Sequence, residues 1–386
     1  MTAANERAEQ APRPIRLGVI GTGLAVEQLH WPALERMPER YRIVAFANHT
    51  RPKAEHFASY SGASLDDYHQ DYRELLRRDD VEAVLVSLPI PLSYPVVRDC
   101  VRAGKHVVCE KPAGADLAQG RDFLALERDY PDQRVLIAEN FFYRDDLRLA
   151  RSLLDEGAIG RLHAMSWRVV NRLVPMPGKF SSTPWRHRPG YRGGPHLDGG
   201  VHHTAQIRLL CGDVARVHGE VQDANTTHGG PSDLTLNLRF VSGAIGSYTA
   251  LYPDLAVPTE PNEMRLYGTE AVMALANRRV AIYRPDGSVE EHWVEGSDGG
   301  YYNEFRDFYD AVVHGVPLVG SIAQSFHNML IVLHGLDSAE RGQAVAVTEA
   351  PAGLAVTSVP LWRPRGATGL FDGLPVEPKS ETRREA

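Results

Sequence analysis

Residues 17–34 read LGVIGTGLAVEQLHWPAL. A short apolar run, rich in β-formers, delivers Gly21-Thr22-Gly23 to the mouth of a helical pattern. Glycines at such a junction permit a tight turn, and they let backbone N–H groups and the positive end of a helix meet a pyrophosphate. Leu24 and Ala25 open the helix beside them. The third position of the GxGxxG pattern, where Gly or Ala is usual, holds Val26. A strand-to-helix turn also recruits glycine for steric reasons alone, so the context must decide.

That context is regular. From Ile15 to about Ala138 the runs IRLGVI, YRIVAFAN, VEAVLVSL, HVVCE and RVLIA alternate with helical patterns near 26–36, 52–60, 71–78, 94–103 and 116–129. Parallel strands need long crossovers to return to the same sheet edge, so the alternation predicts a doubly wound Rossmann domain. Beyond Phe141 the rhythm changes. A helix near 145–156 and the run LHAMSWRVVN precede a Pro/Gly-rich stretch from Pro175 to Gly194, then a helix from about Gly199 to Leu210. Five strand-like runs follow in meander spacing, and two more helices lie near 303–314 and 323–341. The fold class is therefore α/β: an N-terminal Rossmann domain plus a C-terminal α+β domain with a largely antiparallel open sheet. The expected division is a disordered tail over 1–13, a dinucleotide-binding domain over 14–140, a substrate and oligomerisation domain over 141–347, and an extended tail over 348–386.

With 386 residues two domains are expected. The net charge of −7 is spread over mixed signs, which gives no basic surface for nucleic acid. Three cysteines without CxxC spacing fit a reducing compartment, and a cytoplasmic protein is expected. No apolar run approaches the roughly 20 residues of a membrane span. Four histidines, His187, His196, His202 and His203, fall within residues 187–203. Adjacent His202 and His203 on a helix cannot both turn toward one ion, and there is no HExxH array or cysteine partner, so no metal is expected.

The second strand ends AFANHTR, with Asn48 where an acid would bond the ribose hydroxyls of NAD. A carboxylate would repel a 2′-phosphate, whereas Asn48, Thr50 and Arg51 could donate to one. NADP is the expected cofactor, with NAD as the alternative. The strand HVVCE ends in Glu110-Lys111-Pro112. A proline there stops ladder bonding and aims Lys111 past the carboxyl end of the sheet, where open α/β sheets bind ligands; a surface ion pair is the other reading. In GGPHLDGGVHHTAQIRLLCG, Asp198 and His202 stand four apart at a helix start. On one helix that spacing lets a carboxylate hold an imidazole or share a substrate with it, and an N-cap Asp beside a partly buried His is the plainer alternative.

A GxG turn, EKP after a later strand and DxGxH opening a helix of the second domain together resemble the Gfo/Idh/MocA oxidoreductases, the glucose–fructose oxidoreductase and inositol dehydrogenase group. The resemblance runs from about Ile15 to Val347 and includes AGKHVVCEKPAG, GAIGRLHAMSWRV and RLYGTEAVMAL. It implies Lys111, Asp198 and His202 as catalytic residues. Hydride would pass between nicotinamide and a carbinol carbon of a sugar, cyclitol or polyol. His202 would exchange the hydroxyl proton, Lys111 would stabilise the oxygen, and Asp198 would orient the ring or a neighbouring hydroxyl. Glu110 would flank the cofactor. It also implies a homo-oligomer, dimer or tetramer, pairing open sheet faces. The family's TPNxxH segment is LPIPLS here, so Leu88 and Pro89 keep the turn while the polar contacts to cofactor differ. Glu139-Asn140 and Ala205 also depart from the usual pattern. Tyr143, Trp185 and Arg186 are the candidate substrate contacts, the latter two in an aromatic and cationic loop suited to a polyhydroxylated or acidic ligand. Relatives on this scaffold also cleave glycosides with retained cofactor or act as dinucleotide-sensing regulators, and both stay open at this point.

Overall fold

The computed structural model describes residues 13–254, 262–347 and 358–384. The first sheet contains β1 (Ile15–Ile20), β2 (Tyr41–Ala47), β3 (Tyr68–His69), β4 (Ala83–Val86), β5 (His106–Glu110) and β6 (Val135–Ala138). They lie in the order β3-β2-β1-β4-β5-β6, every pair parallel. Helices cover both faces, which is why β4 and β6 are apolar and buried throughout. The strand order reverses between β1 and β4, and the crevice at the carboxyl ends there is where this architecture binds ligands. Gly21 sits at that point with φ +86°, and a Cβ on it would come within 2.2 Å of the Ser87 carbonyl. Only glycine fits both demands.

The second sheet contains β7 (Leu162–Val170), β8 (Val214–Gln222), β9 (Asp233–Phe240), β10 (Ile245–Leu251), β11 (Met264–Gly268), β12 (Val272–Ala276), β13 (Arg279–Tyr283), β14 (Ser288–Glu295), β15 (Val345–Ala346) and β16 (Glu377–Arg384). Its order is β15-β8-β9-β10-β7-β11-β12-β13-β14-β16, antiparallel except where β7 meets β10. The helices Asp145–Asp155, Gly200–Cys211 and Ile322–Arg341 pack on it. Between strand and helix the backbones nearly touch: a Cβ on Gly219 would lie 2.2 Å from the Gly335 carbonyl.

Two departures from the sequence reading concern the late part of the chain. The helix Tyr301–His314 returns to the first sheet, where Phe305, Phe308 and Tyr309 share a core with Ile15, Leu17 and Val19. The expected extended tail is also more than a tail. Its residues 348–357 and 385–386 lie outside the described residues, as does nearly all of the expected N-terminal tail. Within 358–384, Trp362 is buried, the fully buried Arg148 donates to the carbonyls of Trp362 and Leu370 at 3.1 and 2.5 Å, and β16 adds an edge strand beside β14. Arg383 and Lys379 pair with Glu291 and Glu295 across that edge. Among the described residues no helix is long and apolar enough to cross a membrane.

Tyr143, expected at the substrate, is a core residue instead. It is fully buried; its hydroxyl donates to Asp307 Oδ2 at 2.6 Å and accepts from the Gly320 N–H at 2.7 Å. These bonds fasten the exit of β6 to the helix Tyr301–His314 and to the chain entering Ile322–Arg341. Burial without that hydroxyl would leave Asp307, already pushed up to about 6 by desolvation, short of a donor. Tyr143→Phe should therefore cost about 1–3 kcal/mol in a urea unfolding titration and leave KM unchanged; an altered KM with unaltered stability would restore the substrate role.

Candidate active site

One cleft of about 1460 Å³ runs from the glycine turn to the second domain. At the turn it is floored by Gly21, Thr22, Gly23, Leu24 and Ala25, with Leu88 and Pro89 opposite. A Cβ placed on Gly23 would meet nothing within 4 Å, so the chain leaves open space beside these amides. A turn of this shape, with room above it, fits the pyrophosphate of a dinucleotide. The polar side chains at the end of β2 are spent on one another. Asn48 Nδ2 donates to Thr22 Oγ1 at 2.9 Å, while Asn48 Oδ1 accepts from the Thr50 amide and hydroxyl, each at 3.0 Å. Asn48 still lines the cleft, but Thr50 and Arg51 do not. Arg51 is exposed and pairs with Glu55 at 2.9 Å, four residues on in its own helix. The groups on the wall here are His49, Lys53, Gln70 and the Glu27–His56 pair, at 3.1 Å.

Farther in, Glu110 and Lys111 leave β5 in different directions. Glu110 accepts from the buried His30 at 2.8 Å; burial alone would raise its pKa, but His30 and Lys111 hold it below the ordinary value. Lys111 crosses to the second domain, donating to the Asp198 carbonyl at 2.6 Å and to Asp198 Oδ1 at 2.9 Å. Arg186 meets the same carboxylate from the other side, its Nε 2.5 Å from Oδ2. Burial opposes ionisation of Asp198, yet the Lys111 and Arg186 charges win and hold the carboxyl well below the usual range. The guanidinium of Arg186 lies over the Trp185 ring at 4.1 Å, with Phe180 on its other flank at 5.5 Å.

Asp198 and His202 do not touch as one helix would have them. Pro195–Asp198 and Gly200–Cys211 are separate helices, and the two cations claim the carboxylate. His202 turns to another acid: its Nδ1 lies 2.6 Å from Glu139 Oε1, at the exit of β6, and its ring stacks on Phe141 at 4.8 Å between centroids. His203 faces the opposite way, into the core, bonded to the Tyr248 hydroxyl at 2.6 Å, with burial pulling it down to about 3. His196 is likewise buried against Tyr252. The histidine cluster of the sequence thus diverges in space, and among the described residues no group of three His, Cys, Asp or Glu gathers to hold a metal.

Of the expected site residues, the glycine turn, Asn48, Leu88, Pro89, Glu110, Lys111, Trp185, Arg186, Asp198 and His202 line the one cleft; Thr50, Arg51 and Tyr143 do not. The sequence reading named Glu139 only as a departure from the family pattern and gave no site role to it, to His49 or to Lys53. An acid at the ligand-facing end of a parallel strand was the available signal for Glu139.

Residues 15–137 match the family model described as the Gfo/Idh/MocA oxidoreductase family, NAD-binding Rossmann fold, and residues 147–274 match the model of that family's C-terminal domain. A dTDP-3,4-didehydro-2,6-dideoxy-α-D-glucose 3-reductase of Streptomyces violaceoruber is 30% identical over 72% of this chain and 80% of its own. An oxidoreductase of Thermotoga maritima superposes with a TM-score of 0.80 at 32% identity, covering 87% of this chain and 99% of that one. A levoglucosan dehydrogenase in complex with NADH and levoglucosan shares the fold, with a TM-score of 0.75 at 20% identity over 87% of this chain and all of that one. Matched in both halves, and in the cleft-forming turn as well as in the sheet beyond it, the chain belongs to the Gfo/Idh/MocA oxidoreductase family.

Proposed function

We propose that this protein is an NADP-dependent dehydrogenase or reductase acting on a secondary alcohol or ketone of a sugar, cyclitol or related polyol. The observation that carries the reading is convergence: the Lys111 ammonium from the first sheet and the His202 imidazole from the second domain line the same cleft as the glycine turn. A bound nicotinamide would supply a ring carbon that takes or gives hydride. Gly21 and Gly23 amides, with Leu88 and Pro89 opposite, would hold its dinucleotide.

The remaining work falls to side chains of this chain. An ammonium has three N–H groups, and Asp198 occupies two of those on Lys111. The third has no partner among the described residues and would meet a substrate oxygen, its position set by the other two. Charge building on that oxygen is met by a cation already in place, so little reorganisation is needed. His202, with Nδ1 engaged by Glu139, offers Nε2 to the cleft and can take a hydroxyl proton or return it. Aromatic rings of Trp185, Tyr191 and Tyr252 and the flanking Arg186 give the substrate end the flat apolar faces and forked donors that suit a polyhydroxylated ring.

The preference for NADP rests on different residues from those named in the sequence reading. No carboxylate stands at the end of β2, and the Lys53 ammonium on the cleft wall has no ion-pair partner among the described residues. Lys53 and His49 would meet a 2′-phosphate, while Arg51 stays with Glu55.

Lys111→Met and His202→Asn should each lower kcat about 10²- to 10⁴-fold and leave the Kd for NADPH within a few fold, as read by quenching of intrinsic fluorescence. Near wild-type turnover in either variant would end the role assignment. A panel of sugars, cyclitols and their keto forms with both cofactors identifies the substrate. In the same binding assay Lys53→Ala should weaken NADPH about tenfold, or about 1.4 kcal/mol, and leave NADH unchanged. Tighter binding of NADH than NADPH by the unmodified protein would refute the cofactor preference.

A further inference from the structure

Along the inner wall of the cleft and behind it lies a group of acidic side chains, of which only Glu110 has a task in the family pattern. It consists of Glu139 at the exit of β6, Glu304 on the helix Tyr301–His314, and Glu110 with its partner His30. Three neighbouring acids, two of them buried and Glu110 partly so, cannot all be ionised without compensation. Each must have either a cationic or donor partner, or a proton.

The partners sort them. Glu110 has His30 at 2.8 Å. Glu139, 1% exposed, has the Nδ1 of His202 at 2.6 Å. Glu304 has neither: it is fully buried, and neither of its oxygens has a hydrogen-bond partner among the described residues. An ionised carboxylate in that position would be uncompensated, so Glu304 is the member that keeps its proton. Desolvation, then the charges of Glu110 and Glu139, push it well above the carboxylate range in the same direction.

The ring of His202 is also fixed mechanically. Phe141 stacks on it with only 19° between planes, and the Arg144 guanidinium covers the Phe141 ring at 4.6 Å. The ring plane lies against Phe141 while its Nδ1 edge meets the Glu139 oxygen. An ionised carboxylate has only acceptors to offer, so a carboxylate at Glu139 would take the hydrogen of the 2.6 Å contact from Nδ1 and leave Nε2 to face the cleft.

We propose that Glu139 is the positioning residue of a Glu139–His202 dyad, which fixes the imidazole in its Nδ1–H tautomer and meets the positive charge formed when Nε2 takes a substrate proton. The inference rests on the oxidoreductase reading given above. In the oxidative direction the substrate O–H bond breaks, its proton forms the new Nε2–H bond, and the Nδ1–H proton stays where it was. The imidazolium then faces the Glu139 carboxylate instead of empty low-dielectric space. In the reductive direction the same Nε2–H proton returns to the oxygen. The charged groups around the pair are Glu110 and Lys111 from β5 and its exit, Asp198 and Arg186 from the second domain, Arg144 behind Phe141, and the neutral Glu304. Among the described residues none of these bonds the ring, and Glu139 does.

The test uses Glu139→Gln, Glu139→Asp and Glu304→Gln in the full-length enzyme with NADPH. Glu139→Gln should lower kcat about 10²-fold or more and leave KM and the NADPH Kd within about threefold. The limb of its pH profile that reports the imidazole should move to lower pH, because an imidazolium beside a neutral amide is less stabilised than one beside a carboxylate. Glu139→Asp should regain part of kcat and the original limb. Glu304→Gln exchanges a neutral acid for a neutral amide of the same shape, and should leave kcat and the profile as they are. A readout independent of turnover is the long-range ¹H–¹⁵N spectrum of histidine-labelled protein, with His202 assigned through His202→Asn. It should show the Nδ1–H tautomer in the unmodified enzyme.

Wild-type kcat and pH profile in Glu139→Gln, equal losses in Glu139→Gln and Glu304→Gln, or an Nε2–H tautomer in the unmodified protein would each overturn the dyad. Absence of turnover by the unmodified enzyme across the substrate panel would instead overturn the oxidoreductase reading, and the tautomer measurement would still decide the dyad.

Discussion

Asp198 is largely screened from water, ionised and shared between two cations, and the geometry of the cleft follows from that arrangement. A carboxylate taken out of water is costly unless its charge is met at close range and its remaining lone pairs are used. Lys111 comes to it from the first sheet and Arg186 from the loop that runs between β7 and the helix Gly200–Cys211. Each contact joins a different part of the molecule to the same anion. Removing either cation would leave a poorly compensated charge between two domains, so the pairing holds the cleft walls in register more than it adds to stability. The ammonium at the exit of β5 accordingly keeps one donor without a partner among the described residues.

A second acid, Glu139, makes the equivalent contact with His202. Two groups of the cleft are thus a cation held by an acid and an imidazole held by an acid, and the acids come from opposite domains: Asp198 from the second domain holds Lys111 of the first, while Glu139 at the edge of the first sheet holds His202 of the second. Crosswise support of this kind makes the separation of Lys111 and His202 depend on the contact between domains. The buried Tyr143–Asp307 bond and the return of Phe305 and Phe308 to the first sheet stiffen that contact from behind.

Much of this was legible in the residues. Parallel strands alternating with crossover helices announce themselves by periodicity, and a glycine turn and a strand-end lysine stand at positions that the sheet topology makes significant. What escaped was decided by competition between partners distant in sequence. The four-residue spacing of Asp198 and His202 suggested a shared face, but Lys111, 87 residues away, and Arg186 take both carboxylate oxygens. Tyr143 looked like a ligand contact because nothing nearby in the chain reveals Asp307, 164 residues on. Arg51 looked like a phosphate ligand until its helix supplied Glu55 one turn later. The strand Glu377–Arg384, with the sequence EPKSETRR, carries no apolar alternation because it lies at an edge and is held by backbone pairing and ion pairs to Glu291 and Glu295.

The central claim is that one substrate oxygen is reached by both Lys111 and His202 beside a dinucleotide lying on the glycine turn. A crystal structure of the ternary complex with the oxidised cofactor and a polyol found by the substrate screen tests it most directly. The account requires the reacting hydroxyl oxygen within about 3 Å of both Lys111 Nζ and His202 Nε2. A ligand whose hydroxyls contact neither nitrogen, or a dinucleotide bound away from Gly21 and Gly23, would contradict it.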